Sequence, residues 1–375
     1  MRFIPAPRSP AVFGVGTTDA QIVWTRPARD VRVTSGGHSA DADVHASIDA
    51  GGRPGALVVD GLSAAATVAL SIEVDGATVE RRLTTLPHPG GAELSRFATM
   101  NDLHLGLHTF GLTHRIAEPG DTDCTSMRCA TAAFVEAVDW GAQALFLKGD
   151  IVHLGRAVEW EMLGELLTWS PVPVHATFGN HEAAHRRHDR SREQFELLGA
   201  SNEAIEVIEL PGLRVVLVDT STPDSHAGRI AHVHDDLVSL AGDGVPMLVL
   251  HHHQLHATPW PPIYPKGILG SPVRALTAAI AERNPNVVFA SGHTHRHRRR
   301  YLGGLTLAEL GSSKDYPGTW CGYVVHEGGL TQTVRRIAAP AALEWTERTG
   351  RALGGWWSHW SPGRIEDRCF TVTWR

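Results

Sequence analysis

The sequence predicts a small all-β sandwich followed by a larger α/β layered domain. Two patterns carry this. Through residues 1–93, short β-branched segments are punctuated by Gly, Asp and Pro, as strands and turns are. Through residues 94–338, apolar strand-like runs alternate with helical stretches, as in stacked layers of helix and sheet.

In the first unit the segments are AQIVWTR, DVRVTSG, ADVHASID, ALVVDGL, TVALSIEVDG and TVERRLTTL. Asp75-Gly76, between two alternating runs, marks a hairpin. Six or seven such strands over ~90 residues fit two packed sheets. LPHPGG, residues 86–91, reads as the linker. In the second unit the strands are RFATM, QALFLK, VPVHATF, LRVVLVD, PMLVL and NVVFAS. The helices are CATAAFVEAVDW (129–140), AVEWEMLGELLTW (157–169), HDRSREQFELLG (188–199) and SPVRALTAAIAER (271–283). Residues 298–336 return to β character, and the tail, 339–375, has no clear period. Its Trp345, Trp356, Trp357, Trp360 and Trp374 bury large areas, so the tail is expected to pack back on the core. An aromatic patch for a partner or a nucleobase is the second reading.

The chain has 375 residues, 42% hydrophobic and 20% charged, which suits large cores and excludes a disordered chain. A net charge of -6 argues against generic nucleic-acid binding, which needs many phosphates neutralised. No apolar run reaches the ~18 residues that span a bilayer, and MRFIPAPRSPAVFGVG lacks the parts of a secretory signal. Cys124, Cys129, Cys321 and Cys369 do not make a disulfide framework, so free thiols and a cytoplasmic location are expected. The informative excess is 23 histidines, many of them at strand ends.

Five polar clusters follow apolar strands: Asn101-Asp102-Leu103-His104, Gly149-Asp150-Ile151-Val152-His153, Gly179-Asn180-His181-Glu182, His251-His252-His253 and Gly292-His293-Thr294-His295. Ligands of α/β sheets bind beyond the carboxyl ends of strands, where these clusters can converge. Carboxylates, imidazoles and an amide suit borderline divalent cations such as Mn, Fe, Zn or Co. Residues two apart in a strand share a face, so Asp102 with His104, and His293 with His295, can each present two ligands together. That supply is too large for one metal and suits two.

These motifs resemble the calcineurin-like metallophosphoesterase superfamily over residues 95–336. The resemblance implies two β-sheets sandwiched between helices, an α/β/β/α arrangement, with a two-metal centre at the strand ends. The preceding sandwich resembles the fibronectin type III-like, immunoglobulin-like module that stands before the catalytic domain in purple acid phosphatases. By resemblance, Asp102, His104 and His295 hold a first metal. Asn180, His293 and one histidine of 251–253 hold a second, and Asp150 bridges both. A hydroxide shared by the metals attacks phosphorus, with no covalent enzyme intermediate. His181 matches the catalytic histidine that stabilises the transition state or protonates the leaving oxygen. Where relatives read His-His-Pro or His-x-Pro, this chain reads His251-His252-His253-Gln254. With Gln254 at the proline position the ligand is His252; counted from the strand end it is His251. We take His252. His153 stands where purple acid phosphatases carry an iron-binding tyrosine, so their purple iron centre is not expected. His153 either reaches the first metal or stands outside its ligand set.

The resemblance implies hydrolysis of a small-molecule phosphoric ester, preferably a phosphodiester of the cyclic nucleotide or glycerophosphodiester kind. The alternative is a phosphomonoesterase acting on nucleotides or phosphoproteins. A metal-free interaction scaffold is the remote alternative, opposed by the filled ligand positions. Three weaker signals remain. Arg-His-Arg-Arg-Arg at 296–300 reads as an electropositive lip or as a strand facing solvent. His108 and His114 lie in a long loop, 106–127, that can shape a pocket. Asp219 reads as a carboxylate behind the site or as a strand-end cap.

Overall fold

The computed structural model describes residues 9–35, 45–111, 116–118, 124–184, 188–260 and 265–375. Among them, the N-terminal segment forms one antiparallel sheet in place of the expected two. Its five strands are Ala11–Val15, Asp19–Ser35, His45–Asp60, Thr67–Val74 and Ala77–Thr84. The reason is local. AQIVWTR and DVRVTSG are halves of one strand, because irregular pairing between Trp24 and Asp30 takes up the intervening residues where a turn was expected. Bulges bend and twist a strand without ending it. The first half therefore pairs with Ala11–Val15 and the second with Thr67–Val74. The hairpin at Asp75-Gly76 is present, with φ of 48° and 82°, the left-handed pair that a tight hairpin turn requires.

This sheet has its own core, built on Ile22, Trp24, Val31, Val33, Leu70 and Ile72. It also docks closely on the layered domain. The Gln21 carboxamide donates to the Arg336 carbonyl at 2.7 Å and accepts from the Arg336 amide at 2.8 Å. Arg335 pairs with Asp19 at 2.8 Å, and the buried Arg368 guanidinium donates to the Phe13 carbonyl.

From Glu93 onward the layered expectation holds. One six-stranded sheet runs Val174–Thr177, Leu145–Lys148, Glu93–Met100, Thr319–His326, Gly329–Arg336, Phe370–Thr373. The other runs Ile205–Leu210, Leu213–Val218, Met247–His251, Val287–Ser291, Leu305–Glu309, Arg298–Leu302. Phe97, Phe146, Val215, Leu217, Leu248, Val288 and Tyr323 fill the space between the sheets. Helices Thr125–Asp139, Ala157–Trp169 and Pro340–Thr349 cover the first sheet through Phe134, Trp160, Leu163 and Trp345. Helices His234–Leu240 and Ser271–Arg283 cover the second through Leu237, Val273, Leu276 and Ile280. The order is helix, sheet, sheet, helix.

Parallel pairing decides where the chemistry goes. Glu93–Met100, Leu145–Lys148 and Val174–Thr177 are parallel neighbours, as are Leu213–Val218, Met247–His251 and Val287–Ser291. Their carboxyl ends share one edge, and each polar cluster begins at or just after such an end. The tail packs back as expected. It adds the helix Pro340–Thr349, single turns Trp357–Trp360 and Ile365–Arg368, and the edge strand Phe370–Thr373. Trp345 is buried and donates Nε1–H to the Lys314 carbonyl at 2.7 Å. All four cysteines are buried free thiols. No helix among the described residues is long and apolar enough to cross a membrane.

Candidate metal centre

Strand alternation does not aim the paired ligands. Asp102, His104, Asp150, His293 and His295 all lie beyond strand ends with φ of 54°, 45°, 50°, 68° and 50°. This left-handed backbone is uncommon outside glycine and costs of order 1–3 kcal/mol per residue, so it persists only where the surroundings over-determine it. Its concentration in five of the seven predicted ligands is a mark of a built site. Two glycines let the loops meet. Gly149 has φ 77°, and a Cβ there would come within 2.5 Å of the Gly179 amide; a Cβ on Gly179 would collide with the Asp150 carboxylate.

Asp150 stands at the middle. Its Oδ2 lies 3.2 Å from His252 Nε2, 3.7 Å from His104 Nε2 and 3.9 Å from His181 Nε2. On one side, His295 Nε2 lies 3.3 Å from both His104 Nε2 and Asp102 Oδ1. On the other, His252 Nε2 lies 3.2 Å from Asn180 Oδ1 and 3.1 Å from His293 Nδ1. Ligands about 2.1 Å from one cation and separated by tetrahedral or right angles stand ~3.0–3.4 Å from one another. The distances within each group match that spacing, and Asp150 Oδ2 stands beside both, 3.2 Å from His252 and 3.7 Å from His104.

The surroundings turn the right atoms inward. His252 Nδ1 donates to the Lys148 carbonyl at 2.9 Å, which leaves Nε2 for the cluster. His295 Nδ1 meets Asp315 Oδ2 at 2.6 Å, the carboxylate–imidazole pairing common behind metal-bound histidines. Asn180 Nδ2 meets His226 Nδ1 at 2.9 Å, so Oδ1 faces the cluster. Asp102 Oδ2 is occupied by Asn101 Nδ2 and the His293 amide, at 2.5 and 3.0 Å. Asp102 Oδ1 is buried without a hydrogen bond, the ring nitrogen of His295 lying 3.3 Å away but out of alignment. An orphaned buried polar atom costs about 1–3 kcal/mol. A divalent cation accepts such lone pairs, so the residues fit the group.

The electrostatics ask for positive charge. Burial opposes charge on His252, yet Asp150 beside it raises its pKa to about 9. Burial opposes charge on His295 too, and Asp315 and Asp102 raise it to about 10. Asp102, though buried, is brought down to about 2 by His295. Burial and the neighbouring His252 lower His293 to about 3, which keeps it neutral. Protons therefore supply the positive charge that the carboxylates demand, and a cation in their place releases them.

Two residues frame the mouth. His181 donates its amide to Asp150 Oδ1 at 2.8 Å and its Nδ1–H to the His153 carbonyl at 2.7 Å, leaving Nε2 toward the cluster. His153 comes within 3.4 Å of His104 Nδ1, the nitrogen turned away from Asp150. His251 donates Nδ1–H to the His253 carbonyl and packs its ring edge-on to Phe289; it is not among the groups that could share an ion.

Sequence reasoning missed the supports. Glu182 was visible in the Gly-Asn-His-Glu run, without its task. Its carboxylate accepts four backbone amides, from Asp150, Ile151, Val152 and Gly179, at 2.7–3.0 Å. Burial and then the Asp150 charge push its pKa up to about 7. Asp315 and His226 belong to no periodic frame, and nothing in the sequence marks them. His253 joins His252 and His293 in a third close group. The arginine lip is not found. Arg296 and Arg300 pair with Glu309, and none of residues 296–300 lines the cavity above the cluster. Asp219 caps its strand end by accepting from the Ser221 amide at 2.8 Å. His108 lines the cavity, while His114 falls outside the described residues.

No curated protein matches the chain. Among solved structures, one described as PhoD is 9% identical over 88% of this chain and 87% of its own, with a TM-score of 0.45. The purple acid phosphatase PPD1 from yellow lupin (Lupinus luteus) seeds is 11% identical over 88% and 72%, with a TM-score of 0.46. GAP50, described as the anchor in the inner membrane complex of Plasmodium, is 11% identical over 66% and 86%, with a TM-score of 0.45. At these values the likenesses decide nothing about activity. A family comparison does more. The calcineurin-like phosphoesterase family matches residues 95–297, more than half of the chain and the whole run that feeds the Asp150 cluster, so this chain belongs to that family and is a hydrolase of phosphoric esters.

Proposed function

We propose that the chain is a phosphodiesterase built on a two-metal centre. Asp102, His104 and His295 would hold one divalent cation, Asn180, His252 and His293 the other, and Asp150 both. The close groups of ligand atoms support this reading. Mn, Fe, Zn and Co all suit the donor set. Two such cations supply Lewis-acid activation of water and neutralise charge on the phosphoryl oxygens.

The chain's own residues do the rest. His181, fixed through Nδ1, presents Nε2 at the cluster and can deliver a proton to the leaving alcohol oxygen. Asp315 holds His295 in register, and Glu182 ties the Asp150 loop to the Asn180 loop. The N-terminal sheet braces the end of strand Gly329–Arg336 through Gln21 and Asp19.

The preference for a diester rests on the cavity, about 1190 Å³, whose lining includes Leu107, Phe110, Leu353 and Trp357. Moving a doubly charged monoester against apolar walls costs more than moving a singly charged diester. Arg156 and Lys266 also line the cavity and favour the monoester alternative. Turnover of bis-p-nitrophenyl phosphate against p-nitrophenyl phosphate by the metal-loaded protein decides. Faster diester cleavage is expected, and faster monoester cleavage would overturn the preference. Fewer than about two metals per chain after manganese loading would overturn the two-metal reading, and fewer than about one would revive the metal-free scaffold.

A further inference from the structure

We propose that Trp356, Trp357 and Trp360, from the C-terminal tail, form a stacking wall for a planar aromatic ring on the alcohol side of the phosphoester, in the manner of a nucleobase. The inference rests on the phosphoester reading of the site and names which esters it takes.

All three tryptophans line the cavity that opens over the metal cluster, and all three are only partly buried. The chain delivers them by an abrupt turn. Leu353, Gly354 and Gly355 are successively left-handed, with φ of 54°, 67° and 86°, a conformation the two glycines adopt at little cost. Trp356 and Trp360 then stack on each other, 4.8 Å between centroids and 19° between planes. Arg296 lies 4.2 Å over the Trp360 ring and is itself paired with Glu309, so Trp360 is held by both a ring and a fixed cation.

Trp357 is tied to the reaction centre. Its Nε1–H donates to Asp315 Oδ1 at 3.2 Å, while Asp315 Oδ2 holds His295 Nδ1 at 2.6 Å. One carboxylate thus sets the distance between an indole and a ligand of the first cation. The Trp357 and His295 rings stand 6.5 Å apart, and the Phe110 ring stands 5.5 Å from Trp357 at a tilt of 52°. A phosphoryl group at the cluster leaves the substituent of its ester oxygen facing these rings. The cavity, at about 1190 Å³, exceeds the ~300–1,000 Å³ usual for small-ligand sites, so a nucleoside-sized substituent fits. Indoles held by hydrogen bond, stack and cation offer rigid flat faces, which favour a ring over a flexible acyl chain.

Calorimetric titration of the manganese-loaded protein with adenosine 5′-monophosphate, ribose 5-phosphate and hexyl phosphate tests this. Base stacking predicts that the adenosine compound binds ~5–150-fold tighter than ribose 5-phosphate. Trp357→Leu should bring that ratio close to one. Trp357→Phe, which keeps a ring but loses the bond to Asp315, should retain most of it. Should Trp357→Leu fail to fold, Trp356→Leu takes its place and should lower the ratio several-fold. A ratio near one in the wild type, hexyl phosphate binding as tightly as the nucleotide, or an unchanged ratio in the leucine variant each overturn the proposal. The ratio does not depend on turnover. A protein that hydrolyses no phosphoester yet shows the ratio sinks the hydrolytic reading and keeps the wall; an active enzyme without the ratio does the reverse.

Discussion

Gly149→Ala tests whether close approach of two loop backbones positions the Asp150 carboxylate. At Gly149 a Cβ would stand 2.5 Å from the Gly179 amide nitrogen, 2.7 Å from its Cα and 2.8 Å from the Phe178 carbonyl carbon. Those atoms are backbone and cannot rotate aside. Restoring ordinary contact, near 3.4 Å, moves the loops apart by ~0.9 Å, within the misplacement of ~1 Å that can cost ~10²-fold in rate. One loop carries Asp150 and the other Asn180, so the shift falls on both halves of the centre. The left-handed φ of 77° adds ~1–2 kcal/mol for a side chain, and overpacking ~1–3 kcal/mol, for a stability loss of ~2–5 kcal/mol. Gly304→Ala is the control. Its φ is 86° and its Cβ would meet nothing within 4 Å, so it should lose only ~1–2 kcal/mol and keep full activity. Urea unfolding and kcat/KM on a bis-aryl phosphate give both readouts. A Gly149→Ala enzyme within about threefold of wild-type turnover would refute the reasoning.

Four further perturbations test other parts of the structure. Asp150→Ala should lower turnover by more than ~10²–10³-fold and reduce bound metal, whereas His181→Ala should lower turnover by ~10²–10⁴-fold with both metals retained in elemental analysis. Metal loss in the His181 variant contradicts its assigned task. Glu136 is buried against the Ala338 and Ala339 amides and Trp320 Nε1, and burial raises its pKa to about 6. Its neutral form therefore favours folding below the unfolded value of 4.5, and this contribution, ~2 kcal/mol, disappears as pH rises through about 6. Urea stability measured at pH 4 and pH 7 should show the wild type losing that amount relative to Glu136→Gln; parallel changes would sink the idea. The four buried thiols, with burial raising Cys321 to about 12, should be silent to a thiol reagent in the native state and react together on unfolding. A fast-reacting thiol in folded protein contradicts that burial.

Legibility in the sequence followed the strength of the local physical signal. Strands such as LFLK and VVFAS are short and mostly apolar, and the polar clusters come immediately after them, so the layers and the edge where the clusters gather could be placed from order alone. The means by which the ligands are aimed could not. Asp102 and His104 look like alternating strand residues, but the strand stops at Met100 and left-handed backbone does the aiming. Whether such a backbone is tolerable depends on tertiary partners. Asp102 is held by Asn101 and the His293 amide, Asp150 by Glu182 and the His181 amide. The same limit hid the single N-terminal sheet, since TRPARD has the composition of a turn and only its neighbours decide that it bulges instead.

The tail shows where the two kinds of information meet. Its tryptophans were legible as buried area, and Trp345 fulfils that reading. Trp356, Trp357 and Trp360 do not, because the left-handed turn at Leu353–Gly355 carries them past the core to the cavity wall. Asp315 then joins that wall to His295 with its two oxygens, in a stretch, SSKDYP, that carries no pattern of its own. His295 and the Trp357 indole are thus coupled through one carboxylate. Changes at Trp357 should therefore register at the His295 side of the cluster as well as at the cavity wall.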